Sequence, residues 1–250
     1  LLIILFSWLG GRFSFVFIED VIKRDASVKV PFATNREIGN SYFLFNLAFI
    51  FIYLILLGLI VFLCIISCVK SGIFNTDAPS AKQIFQFFLI LLPHLLAAFI
   101  LIVVTALIAL VTKDFVLPIM FKDRIRILRA WPKAFGILKR HIWDFVIYVF
   151  IKIGLAIGAA IVYTLAFIIC LLGILIPLAL LGLGLYLISR SFPSSALIAY
   201  WVVVGVIATP IFLFLLYCLI SLNLPFGVFF RTFSMKFLGR LDPQYDLIVS

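Results

Sequence analysis

The chain has 250 residues, 66% of them hydrophobic and 12% charged, with 20 Lys and Arg against 10 Asp and Glu. A soluble domain carries about a quarter of its residues charged, and the apolar runs here exceed the roughly 20 residues that cross hydrocarbon. A soluble globular protein is excluded. The net charge of +10 sits beside those runs, so it points to membrane orientation and anionic lipid rather than nucleic acid.

The chain opens on Leu1 within LLIILFSW, with neither a basic leader nor a small-residue cleavage site. Leu1 to Leu9 read as the inner end of a first span, and we expect a longer chain upstream. From Arg12 to Asp25, Phe15, Ile18 and Ile22 form a stripe, and Glu19 and Lys23 stand one turn apart, within pairing distance. This element reads as a second helix, lying on the surface or leaving the membrane. Pro31 and the polar run Thr34 to Ser41 end it.

Tyr42 to Val69 make the first complete span, with Asn46 as its internal amide. Asn46 reads as an interhelical hydrogen-bond partner. KSGIFNTDAPSAK, Lys70 to Lys82, is a turn-rich loop with two cations. Gln83 to Thr112 are thirty residues without charge, about 45 Å of helix, which calls for tilt or a kink at Pro93. His94 beside it reads as a neutral side chain bonded to a carbonyl that the proline frees.

The next stretch, KDFVLPIMFKDRIRILRAWPKAFGILKRH, carries eight of the twenty Lys and Arg: Lys113, Lys122, Arg124, Arg126, Arg129, Lys133, Lys139 and Arg140. Leu128, Trp131, Phe135, Leu138 and Ile142 recur at spacings of three and four, with Lys122, Arg126, Arg129, Lys133 and Arg140 opposite. That is the pattern of an interfacial helix beside anionic headgroups, and the orientation and anchoring that every polytopic protein needs are enough to account for it. Asp144 is expected to pair with Arg140.

Ile142 to Ile188 hold only Asp144 and Lys152 as charges, and forty-seven residues exceed one crossing. A hairpin turning at Gly173 to Pro177 is expected, with Lys152 snorkelling to the basic side. Gly154, Gly158, Ala159 and Ala160, and then Gly182 and Gly184, read as tight helix-packing faces. After the loop RSFPSS, the forty uncharged residues Ser191 to Phe230 need a break at Asn223-Leu224-Pro225. Beyond it, Phe226, Phe230, Phe233 and Phe237 form a third stripe, opposed by Arg231, Lys236 and Arg240. Gly239 is placed to cap that helix.

Cation counts place the loops containing Arg12 to Arg36 and 113–141 in the cytoplasm and Lys70 to Lys82 outside. For the C-terminal segment, its three cations suggest the cytoplasm while three crossings after residue 141 suggest the outside, and both stay open. A weak repeat relates 12–112 to 113–189, from FIED with Pro31 to FKD with Trp131-Pro132.

Little here carries chemistry. Two histidines, His94 and His141, leave no His-rich metal site. No phosphate-binding glycine loop or nucleophile elbow is present, and no carboxylate lies well inside an expected span. Cys64, Cys68, Cys170 and Cys218 sit in apolar runs as packing residues. No cofactor and no catalytic or metal-binding residue is assigned.

Three stretches together carry a resemblance: RFSFVFIEDVIKRDASVKVPF with GNSYFLFNL, DFVLPIMFKDRIRILRAWPKAFGILKRHIWDFVIY, and PFGVFFRTFSMKFLGRLDPQYDL. Their order resembles a poorly characterised group of multi-pass prokaryotic membrane proteins, itself similar to the membrane domain attached to some glycerophosphodiester phosphodiesterases. The resemblance implies the fold; the activity of the soluble catalytic domain does not carry over. Pro132 inside the amphipathic helix and the Ile188 to Pro210 region depart from the pattern.

The sequence therefore reads as an all-α polytopic membrane protein, one integral membrane domain over 1–250, with about six membrane segments and two or three interfacial amphipathic helices. The expected location is a prokaryotic inner membrane. The expected function is a non-catalytic accessory or scaffold subunit, packed against partner membrane proteins and anionic lipid. The lipid or partner surface would comprise Lys122, Arg124, Arg126, Arg129, Trp131, Lys133, Lys139, Arg140, Arg231 and Lys236, with Asn46 and His94 as intramembrane polar groups. The alternative is a transporter or lipid-handling protein with a path between the two repeats.

Overall fold

A computed structural model describes residues 2–25, 27–71, 81–191 and 193–248. Among the described residues there are helices and no strands. The order is α1 (Leu2–Lys23), α2 (Lys29–Thr34), α3 (Arg36–Lys70), α4 (Ala81–Val111), α5 (Leu117–Asp123), α6 (Ile127–Arg140), α7 (Ile142–Ser189), α8 (Ser194–Ser221) and α9 (Leu224–Leu241). A π-helical stretch, Thr112–Val116, joins α4 to α5, and a short 3-10 turn, Pro243–Tyr245, follows α9. Four helical stretches are long and apolar enough to cross a membrane: Arg36–Lys70, Phe85–Asp123, Ile142–Ser189 and Ala196–Leu241.

Packing divides the chain into two compact units, Leu1–Arg140 with Arg231–Ser250, and His141–Phe230. In the first unit α1 packs on α3, α3 packs on α4, and the π stretch, α5 and α6 gather against them. Its core is built where apolar periodicity and charge coexist. Phe15, Val16 and Ile18 of α1, Phe115 to Met120, and Met235 and Leu238 of α9 are all buried. The expected stripe on α1 is therefore real at Phe15 and Ile18, but α1 is one helix from Leu2, without a boundary near Leu9. α1 and α5 both end on an arginine in left-handed backbone, Arg24 (φ 54°) and Arg124 (φ 53°), a conformation that favours glycine.

Close approach explains two glycines. A Cβ on Gly11 would lie 3.1 Å from the Gly39 carbonyl oxygen, and one on Gly39 would lie 2.9 Å from Arg12 Cγ. This is where α1 crosses α3. By contrast, a Cβ on Gly154, Gly158, Gly182 or Gly184 would meet nothing within 4 Å. Among the described residues, the glycines of the expected packing faces of α7 are therefore open.

In the second unit α7 packs on α8. α7 runs unbroken for 48 residues, through Pro177, so the hairpin expected at Gly173 to Pro177 is absent. The residues there are Gly, Ile, Leu, Ile and Pro, and none has a polar side chain to satisfy the backbone groups that a turn would free. The break at Asn223 does occur. α8 ends at Ser221, Pro225 takes an early position in α9, and Gly227 N–H donates to the Asn223 carbonyl at 3.2 Å. The residues 72–80 of the loop expected between α3 and α4 lie outside the described ones.

Candidate functional site

The polar groups of the first unit converge at one end, where α1, the α2–α3 junction, the α5–α6 junction and the tail after α9 meet. Asn35 is the centre of it and is fully buried. Its Nδ2 donates to Glu19 Oε2 at 2.8 Å and to the Pro31 carbonyl at 2.8 Å. Its Oδ1 accepts from Arg124 Nη1, whose guanidinium also lies 4.9 Å from the Phe121 ring centroid. Glu19 Oε1 accepts from Lys23 at 2.6 Å, the pairing its spacing suggests. Burial pushes the Glu19 carboxyl up, but hydrogen bonds from Lys23 and Asn35, with the charges of Lys23 and Arg124, outweigh it. The carboxyl is held below the usual carboxylate range.

Beside it, burial first, then Asp25 and Glu19, raise the Asp20 carboxyl, and Asp20 Oδ1 is buried without a hydrogen-bond partner. Arg12 is a second buried charge, 8% exposed. Its Nε and Nη2 donate to Asn40 Oδ1 at 3.2 and 3.1 Å, and its guanidinium lies 4.1 Å from the Trp8 ring centroid. Burial and then Arg36 lower its pKa.

A second bundle of contacts ties the C-terminus to this end. Asp123 accepts from Lys133 at 2.6 Å and from Tyr245 Oη at 3.0 Å. Burial, then the bond to Asp123 and the nearby carboxylates, push the Tyr245 phenol up to about 12. Lys122 donates to the Gln244 carbonyl, Arg231 to the Lys113 carbonyl at 2.6 Å, and Ser234 to Asp114 at 3.0 Å. Asp114 is only 5% exposed and sits in the π stretch, within a helix of crossing length. The sequence, which ended that span at Thr112, did not reveal this carboxylate.

The surface expected from the sequence therefore separates into two groups. Lys122, Arg124, Lys133 and Arg231 hold the fold together. Arg126, Arg129, Lys139 and Lys236 are exposed, and among the described residues none of their side chains makes a hydrogen bond or ion pair. Arg140 donates to the Gly136 carbonyl of its own helix at 3.3 Å, and Asp144 faces His141 Nδ1 at 3.4 Å instead of Arg140. The basic stretch is not one helix, since it breaks at Arg124 to Arg126 before α6 begins.

On α6 the buried face is Ile127, Ala130, Ala134, Ile137 and Leu138. Leu128 and Phe135, from the expected stripe, are 76% and 62% exposed, and Ile142 beyond the helix is also exposed. Trp131 is half-buried, 6.3 Å from Phe45, with its Nε1 buried and unpartnered. α6 thus has two apolar faces, one turned into the fold and one turned out beside free cations.

His94 Nδ1 lies 2.8 Å from the Ile90 carbonyl, one turn back. That contact requires the proton on Nδ1. Asn46 is half-buried and, among the described residues, makes no hydrogen bond. Lys152 reaches Tyr148 Oη at 3.5 Å. Gly239 does not cap α9, which continues to Leu241. The tail folds back over Gly239 instead, where a Cβ would lie 2.9 Å from Asp246 Cα. Arg12, Asn35, Asn40 and Asp114 were not singled out from the sequence. Their partners lie far away along the chain, so no local spacing marks them.

Together these features define a chain that is helical among its described residues, with four helical stretches of membrane-crossing length there and a first unit knitted at one end by buried polar contacts. The chain belongs to DUF7544, a family of unknown function, whose pattern matches residues 1–248. No curated protein and no solved structure matches it.

Proposed function

We propose that this chain is a non-catalytic integral membrane subunit, packed against partner membrane proteins and anionic lipid. The observation that carries the reading is the bareness of the crossing helices. In the most apolar stretches of Arg36–Lys70, Ile142–Ser189 and Ala196–Leu241, no residue is buried inside the chain, and in Phe85–Asp123 only 11% are. Lipid or other helices must cover that surface. Lipid tails give no hydrophobic drive for helix association, so partner helices dock where small residues allow close approach. The open glycines Gly154 and Gly158, one turn apart on α7, leave such room.

The membrane arrangement that accompanies this reading has five segments, the four long helices and the apolar opening of α1, one fewer than expected because α7 does not turn back. At about 72 Å the 48 residues of α7 exceed a hydrocarbon core of roughly 30 Å. The outward face of α6, with Leu128 and Phe135 beside Arg129 and Lys139, suits an anionic headgroup layer. The membrane would be a prokaryotic inner membrane with 113–141 in the cytoplasm, in keeping with the resemblance to multi-pass prokaryotic membrane proteins and with the cation counts.

A transporter or lipid-handling role is the second reading, and the buried Asp114 in a crossing-length helix favours it, because carriers use intramembrane carboxylates. Native mass spectrometry of the full-length protein, extracted gently from its own membrane, decides between them. A defined complex with other membrane proteins is the expected result. A lone monomer or homodimer overturns the subunit reading.

A further inference from the structure

The tail after α9 forms one wall of a small charged groove. Asp242 starts the return, accepting from Gln244 N–H at 3.1 Å on Oδ1 and from Tyr245 N–H at 2.8 Å on its carbonyl. Asp246 is thereby laid over Gly239, with its Cγ 3.1 Å from where a Cβ would stand. Lys236, Gly239 and Arg240 occupy one face of α9, at helical spacings of three and four. Helix and tail line an open groove of about 250 Å³, formed by Lys236, Gly239, Arg240, Asp246 and Ile248.

The two cations in this groove are not used by the fold. Lys236 and Arg240 are exposed, and among the described residues neither makes an ion pair or side-chain hydrogen bond. Asp246 spends Oδ1 on the Ile248 N–H at 3.2 Å, which leaves its other oxygen without a partner among the described residues. Both cations lie on α9, the amphipathic helix that follows crossing-length α8 after the break at Asn223. In the proposed arrangement such a helix lies at headgroup depth.

We propose that the groove holds the headgroup of an aminophospholipid, with the phosphate diester between Lys236 and Arg240 and the primary ammonium on Asp246. Lysine and arginine make charge-assisted hydrogen bonds to phosphate oxygens, and a carboxylate accepts from an ammonium. A headgroup with phosphate but no amine satisfies the two cations yet leaves Asp246 facing a negative charge, and such uncompensated repulsion is how a site selects against the wrong ligand. The Ile248 side chain offers an apolar wall to the carbons between phosphate and amine. This rests on α8 crossing the membrane as proposed above. It refines that reading, since a purely anionic lipid is not the preferred occupant of this groove.

The test uses the full chain in nanodiscs of phosphatidylcholine doped equally with phosphatidylethanolamine and phosphatidylglycerol, followed by native mass spectrometry of the retained lipid. Phosphatidylethanolamine is expected to be retained several-fold over phosphatidylglycerol. Asp246→Asn, which keeps an oxygen for the Ile248 N–H, brings the two to parity. Lys236→Gln with Arg240→Gln lowers the retention of both, at an unchanged melting midpoint. Equal retention by the unaltered chain, or retention indifferent to the double substitution, overturns the proposal. Soluble phosphoethanolamine at millimolar concentration is expected to leave the bound lipid in place. If it displaces the lipid, the ligand is a soluble phosphate ester and the lipid assignment falls. Failure of the membrane reading is separately visible, because alkaline carbonate would then strip the chain from native vesicles.

Discussion

Glu19 is a carboxylate that folding removes from water and surrounds with donors. Lys23 and Asn35 bond it and Arg124 adds charge through Asn35, so its folded pKa lies below the unfolded one. Such a group stabilises the fold above its unfolded value of roughly 4.3 and loses that contribution as pH falls through the folded value. The melting midpoint of the purified protein should therefore hold above about pH 5 and fall in acid, and Glu19→Gln should flatten that acid slope. Asn35→Ala tests the same knot from its centre. It strips three hydrogen bonds at once, to Glu19, the Pro31 carbonyl and Arg124, and should cost about 1–3 kcal/mol, seen as a lower midpoint at neutral pH. An unchanged midpoint would mean that the knot adds nothing to stability.

At the scale of elements, the α1–α3 crossing depends on small residues. Gly39→Ala pushes a methyl against Arg12 Cγ and Cα and should destabilise by about 1–3 kcal/mol. Gly58→Ala, on the same helix with nothing within 4 Å, should be neutral or gain up to about 1 kcal/mol from helix propensity. Equal effects on the melting midpoint would deny the close approach. The long helices were legible in sequence because uninterrupted apolar runs permit little else in a bilayer. The α8–α9 break was legible because Asn223 and Pro225 act locally. What could not be read was settled at long range. Gly239 looked like a helix stop, but it is small because Asp246 returns over it. Gly173 to Pro177 looked like a turn, but helix satisfies that backbone more fully than a turn without polar side chains. Four of the nine cations expected at a surface are held inside the fold instead, Arg124 by Asn35, Lys133 by Asp123, Lys122 by the Gln244 carbonyl and Arg231 by the Lys113 carbonyl, and three of these four partners are distant in sequence.

For the whole molecule, the contacts of Asn35 with Arg124 and of the Ile127 N–H with Ser41 Oγ at 3.2 Å place the start of α3 and the start of α6 at the same end of the first unit. The other end of α3 carries Lys70. In the arrangement proposed above, the positive-inside rule puts the α6 end in the cytoplasm. A cysteine at Arg129, on a background without the native cysteines, should react with a membrane-impermeant maleimide only from the cytoplasmic side. One at Ser71 should react only from the outside. Labelling of both from one side would refute a membrane crossing by α3.

The first unit is discontinuous in sequence, and that has a consequence for biosynthesis. Asp114, Lys113, Lys122 and Asp123 leave the ribosome early, yet their partners Ser234, Arg231, Gln244 and Tyr245 are made more than a hundred residues later. The whole of 141–230 must be synthesised and threaded into place before that end can close. A nascent chain therefore holds this end open until residues 231–248 have been made and latch it.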